Sequence, residues 1–271
     1  MKPSTLQAEE NFRKLLDLVA RLRSPGGCPW DRSQNKGDIA HYLIEEAYEV
    51  LEALEGGSPS ALMEELGDLL FQILFLARLA EEAGEFDAAG VLNAITEKMI
   101  RRHPHVFGDA RVENAEEVRG NWERIKREVE HKGTDDARLF DGIPRSLPTL
   151  AKAQLITGRA ADVGFDWNDT AGVLKKLDEE LAEFRAALEK GDRTAMHDEA
   201  GDLLFTVVNL CRFIPVDAEA ALRTSLGKFT GRFAHIERAL AAEGKTPADS
   251  SLAEMDRLWD EAKKRPAERK T

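Results

Sequence analysis

The pentapeptide Gly67-Asp68-Leu69-Leu70-Phe71 occurs twice, returning letter for letter as Gly201-Asp202-Leu203-Leu204-Phe205. The acidic residues around it keep the same register: Glu46, Glu49, Glu65 and Asp68 correspond to Glu180, Glu183, Glu199 and Asp202. Gly164-Phe165-Asp166-Trp167 also echoes Pro29-Trp30-Asp31, each lying ahead of its acidic stretch. A repeat of this length is a duplicated domain and not a solenoid period. Whatever the first half folds into, the second must fold into as well. The expected organisation is an N-terminal domain over 1–130, a linker over 131–148 and a C-terminal domain over 149–271.

Within each half the apolar residues recur at helical spacing, and no run of alternating β-branched residues appears. Gly and Pro are sparse, while Ala, Leu, Glu, Lys and Arg dominate, a composition that favours helix. In the first half, helices are expected over 11–23, 38–55, 60–83, 91–102 and 115–130. Cys28-Pro29-Trp30-Asp31 is expected to be irregular, and Gly56-Gly57-Ser58-Pro59 to form a turn. In the second half, helices are expected over 150–163, 171–189 and 193–213. The centre of the third helix, Leu69 to Leu76, is apolar on most sides, as in a helix buried in a bundle. The fold expected is all-α: tandem helical bundles, each built on an antiparallel helical hairpin that carries the acidic residues.

That hairpin brings the carboxylates together. Residues three apart on a helix share a face, so Glu46 pairs with Glu49, and Glu65 with Asp68. From Glu49 the chain runs about six residues, roughly 9 Å, to the Gly-rich turn, then descends a similar distance to Glu65. Glu49 and Glu65 therefore sit at similar depth, and Glu46 sits near Asp68. Clustered like charges repel and raise one another's pKa; a hard divalent cation resolves the conflict. Oxygen ligands without Cys or His select Mg²⁺, with Mn²⁺ able to substitute, over zinc. Among 50 acidic residues an E-x-x-E on a solvated face is common, and Glu52 and Glu55 continue the first series as a plain stripe would. The second copy has Ala186 where the first has Glu52, so the stripe is not repeated while the four-carboxylate set is. Neither acidic set contains the Glu-x-x-His pair that a ferritin-like di-iron bundle requires.

Basic and aromatic residues follow each acidic hairpin. Lys98 and Arg102 are matched by Lys228 and Arg232, and Trp122 with Lys126 by Trp259 with Lys263. Cations can bind the phosphate oxygens that a metal leaves free, and Trp offers a face for a base. The net charge of −12 argues against a broad interaction with nucleic acid or an anionic membrane. The longest uncharged apolar stretch in the third helix, Leu69 to Ala77, is too short to span a bilayer. No apolar segment of a secretory signal is visible near Met1, and Cys28 and Cys211 lie far apart without a C-x-x-C. A cytoplasmic location is expected.

Taken together, Cys28-Pro29-Trp30-Asp31, Glu45-Glu46-x-x-Glu49, Glu65-Leu66-Gly67-Asp68-Leu69-Leu70-Phe71, Arg102-His103-Pro104-His105-Val106-Phe107, Val163-Gly164-Phe165-Asp166-Trp167 and the second acidic set resemble the MazG nucleoside triphosphate pyrophosphohydrolases in their two-domain bacterial form. The resemblance implies an all-α homodimer that uses Mg²⁺. It also implies cleavage of ribo- and deoxynucleoside triphosphates to the monophosphate and pyrophosphate, in removal of aberrant or surplus nucleotides. By motif, Glu180, Glu183, Glu199 and Asp202 would hold metal, as would Glu46, Glu49, Glu65 and Asp68 in the first half. Lys228, Arg232 and Trp259 would bind nucleotide, with Lys126 reaching the same one, and Lys98, Arg102 and Trp122 are their first-half equivalents. Glu179, and Glu45 likewise, would orient or deprotonate the attacking water. The chain departs from the pattern at Glu199-Ala200-Gly201-Asp202 and at Thr230-Gly231, where glycine is expected to loosen the helix. The competing reading is a nucleotide-sensing or interaction module with weak or absent turnover, at least in one half.

Overall fold

The computed structural model describes residues 3–125 and 138–264, and each of these stretches falls in its own compact unit. Every regular element among the described residues is helical. The first unit contains α1 (Pro3–Arg23), α2 (Pro29–Ser33), α3 (Lys36–Gly56), α4 (Pro59–Glu82), α5 (Ala88–Arg102), α6 (Pro104–Phe107) and α7 (Ala115–Ile125). The second contains α8 (Thr149–Asp162), α9 (Thr170–Lys190), α10 (Arg193–Phe213), α11 (Ala218–Ala242), a 3₁₀ turn at Pro247–Asp249 and α12 (Leu252–Lys264).

Each unit is organised by one hairpin, α3–α4 or α9–α10, and local chemistry fixes both hairpins in the same way. Asn35 opens α3 with a capping box: its side chain accepts from the Asp38 amide, and the Asp38 carboxylate accepts from the Asn35 amide. Asp169 opens α9 by accepting from the Gly172 amide. Gly57 ends α3 and Gly191 ends α9, with φ of 70° and 68°, a left-handed conformation that a Cβ disfavours. The next residue in each case, Ser58 or Asp192, caps the returning helix by accepting from its first-turn amides. One glycine and one capping side chain therefore set the reversal that brings the acidic faces together.

In the first unit Val19, Ile39, Leu74, Phe75 and Leu79 form the buried core between α1, α3 and α4, with Phe12, Leu15, Tyr42 and Phe71 packed against it. In the second, Ile236, Leu240 and Leu258 join α11 to α12, supported by Phe233, Met255 and Trp259. Arg23, at the end of α1, ties three segments together. Its guanidinium donates to the Glu82 carboxylate at the end of α4 and to the carbonyls of Asp31 and Gln34. In the second unit Arg212 of α10 makes a comparable tie, donating to Asp166 and Asn209.

Several local expectations change. Cys28-Pro29-Trp30-Asp31 is not wholly irregular, because Pro29 begins the short helix α2, where its missing amide costs no bond. The helix expected from residue 11 already runs from Pro3. The centre of α4 buries Leu74, Phe75, Ala77, Leu79 and Ala80, yet Leu66 and Ile73 are 49% and 40% exposed, so the helix is covered on one side only. Gly231 does not interrupt α11, which continues to Ala242. Of the expected linker, residues 131–137 lie outside the described residues. Farther along, Arg159 of α8 donates to the carbonyls of Leu139 and Asp141 and fastens that stretch to the second unit.

Candidate metal and nucleotide site

The hairpin geometry gathers the acidic residues in both units. Oxygens of Glu46, Glu49 and Glu65 lie within 4.8 Å of one another, as do those of Glu180, Glu199 and Asp202. The fourth member of each set is near enough to act electrostatically. Asp68 raises the pKa of Glu46 and Glu65, and Glu183 raises that of Glu199. For Glu46, Glu65 and Glu199 the leading cause of the upward shift is partial burial; the neighbouring carboxylates add to it. An all-oxygen donor set whose neighbouring carboxylates repel one another is a site that a hard cation would relieve. The sets line a surface rather than an interior: Glu180 is buried, Glu46, Glu65 and Glu199 are half-buried, and Glu49, Asp68, Glu183 and Asp202 are exposed. Their position beside the apolar run of α4 predicts that Glu65 and Asp68 enter the bundle; Glu65 is only half-buried, grouped with Glu46 and Glu49 of α3, and Asp68 is exposed.

The leading glutamates of the two motifs differ in surroundings. Glu45 and Glu179 are both exposed, outside the closely grouped oxygens. Glu179 accepts a hydrogen bond from Lys176 at 2.7 Å, which lowers its pKa. The same ammonium lies 2.7 Å from Glu180, and both contacts raise the Lys176 pKa. Sequence reasoning passed over this lysine. The signal was its spacing, three and four residues before two glutamates on a helix, but the first copy has Tyr42 there, so comparison of the copies did not select it. Gln72 was missed as well; its amide donates to Glu46 at 3.3 Å.

Lys98 and Arg102 lie on α5, and Lys228 and Arg232 on α11. Each arginine is stacked on the tryptophan matched to it. Arg102 lies 4.5 Å from the centroid of the Trp122 ring, and Arg232 lies 5.4 Å from that of Trp259. Phe229 packs tilted on Trp259 at 5.1 Å. The indole is thus a support that orients a guanidinium as well as an apolar surface. Lys228 is exposed and Lys98 half-buried. Lys126 lies outside the described residues. His235, three residues beyond Arg232, is buried with an unbonded Nε2.

The first unit also has a recess of about 440 Å³ lined by Trp30, Ser33, Gln34, Gly37, Asp38, His41 and Tyr42. Asp38, Tyr42 and Glu46 follow one another at four-residue intervals along α3, so the recess and the acidic set share one helix face.

The model of the MazG nucleotide pyrophosphohydrolase domain matches the chain twice, at residues 34–107 and 169–236, spanning both hairpins and the Lys/Arg pairs. A nucleoside triphosphate pyrophosphohydrolase of Escherichia coli K12 is 44% identical over 254 residues, covering 93% of this chain and 96% of its own. A nucleoside triphosphate pyrophosphohydrolase/pyrophosphatase of Thermotoga maritima is 40% identical over 252 residues, covering 93% and 95%. The crystal structure of a MazG-related protein from Thermotoga maritima aligns with 42% of this chain and 98% of its own, at 28% identity and a TM-score of 0.37. With two matched domains and relatives aligned over nearly their full length, this chain belongs to the MazG nucleotide pyrophosphohydrolase family.

Proposed function

We propose that the chain hydrolyses nucleoside triphosphates, ribo and deoxy, to the monophosphate and pyrophosphate, clearing aberrant or surplus nucleotides from the cell. The observation that carries this reading is the pair of three-carboxylate groupings, each within 4.8 Å, on the two hairpins that the family model matches. Glu180, Glu183, Glu199 and Asp202 would hold Mg²⁺ or Mn²⁺, as would Glu46, Glu49, Glu65 and Asp68 in the first unit. The bound cation would supply Lewis-acid polarisation of the phosphate oxygens and a more acidic water. Lys228 and Arg232, with Lys98 and Arg102 as equivalents, offer positive charge to the triphosphate. Trp259 and Trp122 hold their arginines in the planar orientation that suits bidentate phosphate contacts and leave apolar surface for the base. Lys126 is proposed to reach the nucleotide as well. Glu179 and Glu45, exposed beside the grouped oxygens, are proposed to orient or deprotonate the attacking water; the Lys176 contact lowers the Glu179 pKa and so favours the orienting role there.

We further infer a cytoplasmic homodimer of two domains, 1–130 and 149–271. Large apolar side chains left exposed on the hairpins, including Ile44, Tyr48, Leu66 and Ile73, support pairing with a second copy. Among the described residues no helix is long and apolar enough to cross a membrane. The alternative, a sensing role for one half, draws support from the dissimilar surroundings of Glu46 and Glu180.

The test is pyrophosphate release from a panel of NTPs and dNTPs, with the intact chain and with each acidic set disabled. Glu180→Gln with Glu183→Gln is expected to abolish most release. Release that survives both this pair and Glu46→Gln with Glu49→Gln refutes the assignment, and tight Mg²⁺-dependent nucleotide binding without release favours the sensor.

A further inference from the structure

The two acidic sets carry a shared problem and solve it differently. Glu180 is the most buried of the eight carboxylates, its side chain 6% exposed, with Glu199 and Asp202 oxygens within 4.8 Å. A carboxylate so enclosed needs compensation. In the second unit that compensation is a full positive charge, the Lys176 ammonium at 2.7 Å. In the first, the compensating group that Glu46 meets among the described residues is the neutral amide of Gln72 at 3.3 Å. The register makes the difference one of residue choice: Tyr42 occupies the position of Lys176, and Thr206 that of Gln72.

We infer that Lys176 is an internal counter-cation that holds the second unit's carboxylates in the metal-free chain and makes divalent binding there weaker than at the first unit. This rests on the metal reading proposed above. A divalent ion approaching Glu180 must displace Lys176 or share the carboxylate with it, and either adds repulsion between cations at a half-enclosed site. An ion approaching Glu46 meets a dipole that can remain hydrogen-bonded to the second carboxylate oxygen. Lys176 is therefore a positioning residue. It makes occupancy of the second site respond to divalent concentration over a higher range than the first.

The test is Mn²⁺ binding by the intact chain, read from the electron paramagnetic resonance signal of free Mn²⁺, without nucleotide. Glu49→Gln with Glu65→Gln silences the first unit, so the remaining class reports on the second. In that background Lys176→Met is expected to tighten Mn²⁺ binding about tenfold, a change of about 1.4 kcal/mol. Lys176→Arg is expected to stay within about twofold of the parent. Lys175→Met removes the same charge from an exposed neighbour and is expected to change affinity less than about twofold, since the effect belongs to the ion pair. The reverse variant, Tyr42→Lys with the second unit silenced by Glu183→Gln and Glu199→Gln, is expected to weaken binding at the first. Unchanged or weaker binding in Lys176→Met, or an equal gain in Lys175→Met, overturns this inference alone. A chain that binds no Mn²⁺ overturns the metal reading and this inference with it.

Discussion

Neutralising Glu46 should stabilise the metal-free protein and remove its stabilisation by metal. In the structure the Glu46, Glu49 and Glu65 oxygens lie within 4.8 Å of one another and Asp68 also acts on Glu46, so Glu46→Gln relieves at least two repulsions. At that distance each amounts to about 0.9 kcal/mol in a water-like dielectric and about 3.5 kcal/mol at an effective dielectric of 20. Glu49 is exposed and Glu46 half-buried, so salt and solvent hold the total near the lower value, about 1–2 kcal/mol. Little opposes the gain, because glutamine has the same size and its carbonyl can still accept from Gln72. The pH dependence follows from the sign of the shift. Burial first, and then Asp68 and Glu49, raise the Glu46 pKa above its unfolded value. The unfavourable contribution is absent below the unfolded pKa and develops as pH rises through the folded one. Urea unfolding followed by circular dichroism, in EDTA, should therefore show the variant more stable than the parent by about 1 kcal/mol at pH 7 and no difference near pH 4. Glu9→Gln on α1 is the exposed control. Addition of Mn²⁺ should reverse the order, since only the parent gains binding energy in the native state. A destabilised variant in EDTA at pH 7, or a gain that persists undiminished at pH 4, refutes the reasoning.

Arg23→Met should destabilise the first unit by about 2–4 kcal/mol in urea unfolding, because it leaves the Asp31 and Gln34 carbonyls without this donor and Glu82 with Arg78 as its remaining guanidinium partner. Arg23, through its hydrogen bond, depresses the Glu82 pKa; the stability this confers is present above the unfolded pKa and lost as pH falls through the folded one, so the difference between parent and variant should shrink in acid. The adjacent glycines at the first hairpin turn should respond oppositely: Gly57→Ala, at φ 70°, should cost about 1 kcal/mol, whereas Gly56→Ala, helical with open space at its Cβ, should gain about 0.5–1 kcal/mol. Trp259→Leu should raise KM for nucleotide in pyrophosphate assays about tenfold by releasing Arg232, and a KM unchanged within twofold would assign this indole to the α11–α12 core alone.

Much of the architecture was legible because it depends on short-range rules. Hydrophobic period identified α3, α4, α9 and α10 to within about two residues of the observed ends. Duplication separated the repeated carboxylates from the Glu52 and Glu55 stripe. The short helix α2 was not legible, since five residues beginning with proline carry no periodic signal. The comparison of copies that found Glu46 and Glu180 also concealed Lys176, which has no counterpart in the first half. Spacing could place Arg232 and Trp259 after the hairpin but could not stack one on the other.

What the sequence determined, then, is that each half folds as a helical hairpin whose acidic face is closed by a left-handed glycine and a capping side chain, and that this happens twice. These are properties of neighbours along the chain, where periodicity and caps fix geometry over a few ångströms. Tertiary structure decided how each carboxylate is compensated: a buried Glu180 beside an ammonium, and a half-buried Glu46 beside an amide from the facing helix. Burial and pairing depend on which atoms the folded chain brings within reach, and the same E-E-x-x-E therefore acquires two different electrostatic surroundings in one protein.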